Sequence, residues 1–349
     1  MLILQNDRHR EHAGRHEMYR GRLVECVEVP ERAELVLGEL HRRGFARVER
    51  PAVRADMTVV ESVHDLRYLA FLRQAWDHWI ALDSANASFD ILPSVWPNQG
   101  LRRDAPTQNF SAQVGRYAFD AGSPITRGTW DACLAGAASA IEAARRVASG
   151  SERGALVVTR PPGHHAGRDF FGGYCFLNNA ALAAQTLRDA GHARVAILDV
   201  DYHHGNGTQS IFYRRADVLT VSIHGDPATE YPFYLGYADE RGEGEGEGFN
   251  LNRPLPKGTA FDAWRRELDI ALEAVARFGA SALVVALGVD AYKADPISGF
   301  LLDSADFTTI GSLIASARLP TVFVLEGGYA VAEMGINVAN VAEGFSLAG

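Results

Sequence analysis

An α/β domain built on a mainly parallel sheet is the fold class that this sequence predicts, on three observations. Short apolar runs rich in β-branched residues recur at 155–158 (ALVV), 194–198 (RVAIL), 218–223 (VLTVSI), 281–287 (SALVVAL) and 320–325 (PTVFVL). Helix-period stretches separate several of them: NNAALAAQTLRDAG, FDAWRRELDIALEAVARFG and SADFTTIGSLIASA. The runs are apolar almost throughout instead of alternating, which marks strands covered on both faces by crossover helices. At 349 residues, one large domain over 1–349 is the economical count.

In chain order, Leu2 to Leu4 reads as a short first strand, and the polar RHREHAGRHEMYRG after it as irregular, with His9, His12 and His16 as solvated loop residues. Pro30 opens a helix through ERAELVLGELHRRGF that stops at Gly44. ESVHDLRYLAFLRQAWDHWIAL carries a broad apolar stripe (Val63, Leu66, Leu69, Leu72, Trp76, Trp79) and reads as one further helix, with His64 and His78 as ordinary core or surface histidines. Over about 83–127 the periodicity fades among Pro93, Pro97, Pro106 and Pro124. A loop this long is frequently functional, as a lid or a subunit contact. Gly128 to Ser149 then reads as a small-residue helix that packs closely on a sheet, and the acidic, glycine-rich DERGEGEGEGFN (239–250) as a solvated excursion whose carboxylates would repel phosphate.

Composition narrows the function classes. A net charge of −9 argues against a nucleic-acid-binding surface. Cys26, Cys133 and Cys175 form no CxxC pair, so neither a disulfide framework nor a thiolate zinc site is readable and a reducing compartment is expected. MLILQNDRHREH is too short in apolar residues for a signal peptide, and no run approaches the ~18–20 of a membrane span. The expectation is a cytoplasmic protein without membrane or nucleic-acid partners.

Chemistry concentrates where the strands end, the place at which parallel sheets bind ligands. The run RVAIL breaks into Asp199, Asp201, His203 and His204. Carboxylates and imidazole at alternate positions beyond a buried strand need something positive between them, and a metal ion is the simplest candidate. After ALVV come His164 and His165; after VLTV, Ser222 and His224; after ALVVALG, Asp290; after VFVLE, Gly327, Gly328 and Tyr329. A lone Asp beyond a strand is more often a helix cap and a lone Tyr more often core, so it is their coincidence that points to a site. Asp201, His203 and Asp290 form an oxygen and nitrogen triad with a position left open, the pattern of a catalytic zinc ion. His164 and His165 supply a general base and acid, Asp199 fixes an imidazole tautomer, and Tyr329 donates its hydroxyl to an oxyanion.

RPPGHHAG, FFGGYCFLNNAA, ILDVDYHHGNGTQ, SIHGDPA, LGVDAYKADPISGF and EGGY together resemble the zinc-dependent histone deacetylase superfamily, most closely its bacterial branch of acetylpolyamine amidohydrolases and deacetylase-like amidohydrolases. The resemblance spans nearly the whole chain. It implies the arginase-deacetylase fold, a mainly parallel sheet of about eight strands flanked by helices. It implies one zinc ion on Asp201, His203 and Asp290, His165 as base, His164 with Asp199 as its electrostatic partner, Asn206 behind His165, and Tyr329 as oxyanion donor. A structural potassium ion would use Asp199, Asp201, His203, Ser222 and the carbonyl of Ile223. Tyr174 and Tyr231 match tunnel walls, with Gly173, Gly328, Ile297 and Asp120 as further substrate contacts, and Arg32 matches an arginine near an inner channel. The loop at 83–127 matches a dimerisation segment, so a homodimer or higher homo-oligomer is expected.

The implied reaction is cleavage of the amide of an acylated amine, such as an acetylpolyamine, by metal-activated water. Ser111 and Gly122 stand where polyamine-specific relatives carry glutamates at the tunnel mouth, which leaves neutral or aryl amides and protein acetyl-lysine as alternatives. A non-catalytic acyl-binding module is the reading from another class; its usual mark, loss of the tyrosine or a metal ligand, is absent.

Overall fold

The computed structural model describes residues 1–51, 54–96 and 107–348. In chain order its elements are β1 (Leu2–Gln5), β2 (His16–Tyr19), β3 (Arg22–Glu25), α1 (Glu31–Arg42), β4 (Val48–Glu49), α2 (Met57–Val63), α3 (Leu66–Leu82), α4 (Phe110–Tyr117), α5 (Thr129–Ala148), β5 (Gly154–Val158), α6 (Asn179–Asp189), β6 (Val195–Asp199), α7 (Asn206–Phe212), β7 (Val218–Gly225), β8 (Asn250–Leu255), α8 (Phe261–Phe278), β9 (Ala282–Leu287), α9 (Ser304–Ser316), β10 (Thr321–Leu325) and α10 (Val331–Leu347). Eight strands form one sheet in the order β4-β1-β5-β10-β9-β6-β7-β8, every neighbouring pair parallel.

The uniform polarity follows from the strand sequences. Val195 and Ile197 face a core shared with α2, α3, α5 and α6, while Ala196 and Leu198 face a second core shared with α1, α8, α9 and α10. Each Val, Ile or Leu side chain so buried contributes about 1.5–3 kcal/mol. A strand buried on both faces therefore has no polar face to turn to water, and helices must cover both sides. All strands run the same way, so every carboxyl end opens on one edge of the sheet, where the site lies.

Four local expectations need correction. The segment read as irregular holds the antiparallel hairpin β2–β3. His9 and His12 are buried and not solvated, because the Arg160 guanidinium donates to both of their carbonyls and draws the segment inward. The helix expected across 61–82 is two helices: His64 is extended and Asp65 caps α3 by accepting from the backbone of Arg67. The long loop contains α4, capped by the Asn109 side chain, and an antiparallel bridge between Ile91 and Ile125. Its centre, 97–106, lies outside the described residues.

Candidate active site

The exits of β6 and β9 bring Asp201, His203 and Asp290 together, their ligand-type atoms all within 4.8 Å of one another. His203 Nδ1 lies 3.3 Å from Asp201 Oδ1 and 3.0 Å from Asp290 Oδ2. Asp201 and Asp290 are fully buried. Backbone donors hold them in place: the N–H of Gly327 on Asp201 Oδ2, of His203 on Asp201 Oδ1, and of Tyr202 on Asp290 Oδ1. Gly327 has to be glycine here, because a Cβ would stand 2.5 Å from Asp201 Oδ2 and 2.6 Å from Asp290 Oδ2. Burial, and next the charge of Asp201, raises the Asp290 carboxyl, while the two carboxylates raise His203 against the pull of burial. A proton drawn to the centre of three converging donors marks a place that a cation fits, and the oxygen and nitrogen set suits a divalent ion with a position open to substrate.

Beside this cradle stand the two histidines carried by the loop after β5, their ring centroids 3.9 Å apart. His164 Nδ1 donates to Asp199 Oδ2 at 3.0 Å and His165 Nδ1 to Asn206 Oδ1 at 2.7 Å. Their environments differ in charge. Burial opposes protonation of both, but Asp201 and Asp199 raise His164 to about 10, whereas burial and the positive charges of His164 and His203 hold His165 well below its ordinary value. Tyr329 follows β10; burial raises its hydroxyl well above 10, and the Arg32 guanidinium lies 4.7 Å from its ring centroid. Arg32 also donates to the carbonyls of Glu326 and Gly328 and pairs with Glu28, which is shared with Arg160.

Aromatic rings stand beside both groups. The ring of Tyr231 stands 5.1 Å from His165, and that of Tyr174 stands 5.7 Å from Tyr329. Gly173, at φ +53, presses its backbone against the His165 ring. Asp120 accepts from Gly122 N, Ser123 Oγ, Gly173 N and Tyr231 Oη, so its carboxylate ties the walls to each other. Ile297 is half-buried and its N–H binds Asp295. Ser222 pairs in register with Asp199 across β6 and β7, next to Ile223. His204 packs on His224 at a ring separation of 4.5 Å, away from the metal cradle.

Sequence reasoning missed three carboxylates. Glu326 accepts from the N–H groups of Gly163 and His164, so it fixes the histidine loop. Glu326 also joins Cys175 and His164 in a second cluster of ligand-type atoms, but the Cys175 thiol already donates to the Gly173 carbonyl and His164 Nδ1 to Asp199. Asp295, within the quoted LGVDAYKADPISGF, binds the backbone of Tyr329. Glu17 on β2 is 2 % exposed; its Oε1 accepts from the Tyr174 hydroxyl at 3.2 Å, and its Oε2 finds no hydrogen-bond partner among the described residues. The first two follow strand exits already under suspicion, whereas nothing in HEMY distinguishes Glu17 from a surface acid.

Fold and donor set define a metal-dependent hydrolase of the deacetylase class. The chain belongs to the histone deacetylase domain family, which it matches over residues 26–345. It is 49 % identical over 345 residues to acetylpolyamine amidohydrolase 2 of Pseudomonas aeruginosa, covering 99 % of this chain and 98 % of that one. It is 50 % identical over 346 residues to acetylpolyamine amidohydrolase 1 of the same organism, covering 99 % of each. The crystal structure of an acetylpolyamine aminohydrolase from Burkholderia pseudomallei superposes with a TM-score of 0.94 at 39 % identity, over 100 % of this chain and 99 % of that one. Among the described residues no helix is long and apolar enough to cross a membrane.

Proposed function

We propose that the protein is a zinc amidohydrolase that removes the acetyl group from acetylated polyamines. Asp201, His203 and Asp290 hold the ion, which supplies Lewis-acid polarisation of the amide carbonyl and a water acidified towards neutrality. His165 gives its Nδ1 proton to the bond with Asn206, so its Nε2 is the free acceptor that takes a proton from the water. His164, kept cationic by Asp199, stabilises the negative charge that develops, and the histidine pair returns a proton to the leaving amine. Tyr329 retains its proton because of burial and donates it as a hydrogen bond to the carbonyl oxygen. A potassium ion at Asp199, Asp201, His203, Ser222 and the Ile223 carbonyl is part of the same reading, supported by the register that pairs Asp199 with Ser222.

The observation that carries the substrate class is Glu17. Burial raises its carboxyl to about 7 against the hydrogen bond from Tyr174, and one of its oxygens has no protein partner. A buried carboxylate in that condition gains most from a cation brought alongside. It stands behind the Tyr174 wall, so an amine carried on the substrate supplies the missing partner, and a neutral aryl amide does not. The similarity to acetylpolyamine amidohydrolases supports the same assignment. The exposed Leu82, Phe89, Leu92, Val95 and Trp96 on the 82–96 segment support a homodimer, measurable as the mass in solution by light scattering. A cytoplasmic, single-domain enzyme completes the reading.

A substrate panel tests it. The kcat/KM for acetylputrescine should exceed that for acetanilide and for a neutral acetyl-lysine peptide by at least about tenfold, the worth of one well-placed charge contact. Chelation should abolish turnover and zinc should restore it. Preference for acetanilide would refute the polyamine assignment, and activity that survives complete metal removal would refute the metal assignment.

A further inference from the structure

The backbone at Tyr329 and Ala330 is held by a carboxylate that has none of these roles. Resting on the reading of Tyr329 as oxyanion donor, we propose that Asp295 is a positioning residue that sets where the tyrosine hydroxyl stands. Its Oδ2 accepts from Tyr329 N at 2.7 Å and from Ala330 N at 3.2 Å, and its Oδ1 accepts from Ile297 N at 3.1 Å. The residue is 8 % exposed. It caps α10 from outside: Ala330, the N-cap, has no side chain able to accept, and the orphan N–H groups at a helix start need an acceptor.

The location of this cap gives it a catalytic consequence. Tyr329 follows two glycines, the second at φ +136, so the path out of β10 has a loose joint immediately before the tyrosine. Arg32 grips the upstream side of that joint through the Glu326 carbonyl, and Arg32 and Asp295 together hold the peptide group that leads into the tyrosine, by the Gly328 carbonyl and the Tyr329 N–H. Asp295 sits on the loop that leaves Asp290, which is itself fixed by Tyr202 N on Oδ1 and by the Ser298 hydroxyl on its carbonyl. One short loop therefore carries a metal ligand at one end and the anchor of Tyr329 at the other. Releasing the anchor lets the hydroxyl drift from the carbonyl oxygen it must meet, and a misplacement of about 1 Å costs on the order of 100-fold in rate.

A double-mutant cycle separates positioning from plain stability. Asp295→Ala should lower kcat by about 100-fold with KM within about threefold and metal content unchanged, and Asp295→Asn, which keeps one acceptor oxygen, should recover about tenfold of that loss. In the Tyr329→Phe background the same Asp295 substitutions should change kcat by less than about twofold, because the hydroxyl they position is gone. If Asp295→Ala does not fold, Asp295→Asn in the two backgrounds decides. Equal losses with and without the Tyr329 hydroxyl, a loss carried by KM, or no loss at all would overturn the proposal. A wild-type rate in Tyr329→Phe alone would instead overturn the role of the tyrosine on which it rests.

Discussion

The carboxylate and histidine cradle and the aromatic rim beside it are held in different ways. In the cradle, main-chain N–H groups of Tyr202, His203 and Gly327 fix the carboxylates of Asp201 and Asp290, and those groups belong to the strand exits themselves. Around the aromatic rings, side chains also hold side chains: Asp120 accepts from backbone N–H groups of Gly122 and Gly173, but the Tyr174 hydroxyl meets Glu17 and the Tyr231 hydroxyl meets Asp120, with the partners drawn from separate loops and a hairpin. Backbone anchoring is indifferent to most substitutions nearby and fixes the chemistry. A ring of side-chain contacts changes with a single residue, so recognition can be retuned there while the reaction stays the same.

That division orders the effects of mutation. The largest is expected in the cradle and its histidines: His165→Ala should lower kcat by about 10³–10⁴-fold with metal still bound, the upper range for loss of a general base. Tyr329→Phe should follow at about 10²–10³-fold, again with metal retained, as for loss of one oxyanion donor. Steady-state kinetics with metal analysis checks both, and near wild-type rates in either variant would contradict the mechanism. At the mouth the expectation changes in kind, to an effect on KM and not on kcat.

The two regions also titrate differently. Burial, helped by the charges of Asp120 and Glu28, holds the Glu17 carboxyl near 7 against the Tyr174 hydrogen bond, so the KM for a cationic substrate should rise as pH falls below about 7, while that for a neutral amide should not follow. In the interior, His64 donates from Nδ1 to the Gly167 carbonyl and accepts at Nε2 from Asn178 N, and burial lowers it to about 4. Between about 6.5 and 4 the unfolded chain then binds more protons than the native one, so stability falls as pH drops through that window, by about 3 kcal/mol for one such site. His12, also near 4 through burial and Arg160, adds to the slope. His64→Gln should be less stable at neutral pH but should lose less on acidification, as read by urea unfolding at pH 7 and pH 5; an unchanged pH slope would remove His64 from the account.

Legibility in the sequence followed the same division. Asp201, His203, Asp290, His164 and His165 were readable because each sits within a few residues of an apolar run, so the strand pattern that predicts the fold also predicts their convergence. Six of the eight parallel strands were accessible for the same reason, whereas β4 is too short and β8 too polar to stand out. Glu17 was not readable: the β2–β3 hairpin is brief, its residues are mostly polar, and only tertiary packing tells a buried acid from a solvated one. The split at His64 and Asp65 was missed because an apolar stripe runs through both helices, and the cap that ends one and starts the other depends on where the His64 ring is held. Asp295 lay in a quoted motif but looked like a loop residue, since its partners are backbone groups far along the chain.

The most direct test of the account compares wild type with Glu17→Gln on acetylputrescine and on acetanilide. In Glu17→Gln the KM for acetylputrescine should rise by about tenfold or more, the loss of one charge-assisted contact, with kcat and both acetanilide constants nearly unchanged. An unchanged acetylputrescine KM, or an equal change for both substrates, would contradict the claim that the mouth reads substrate charge independently of the catalytic cradle.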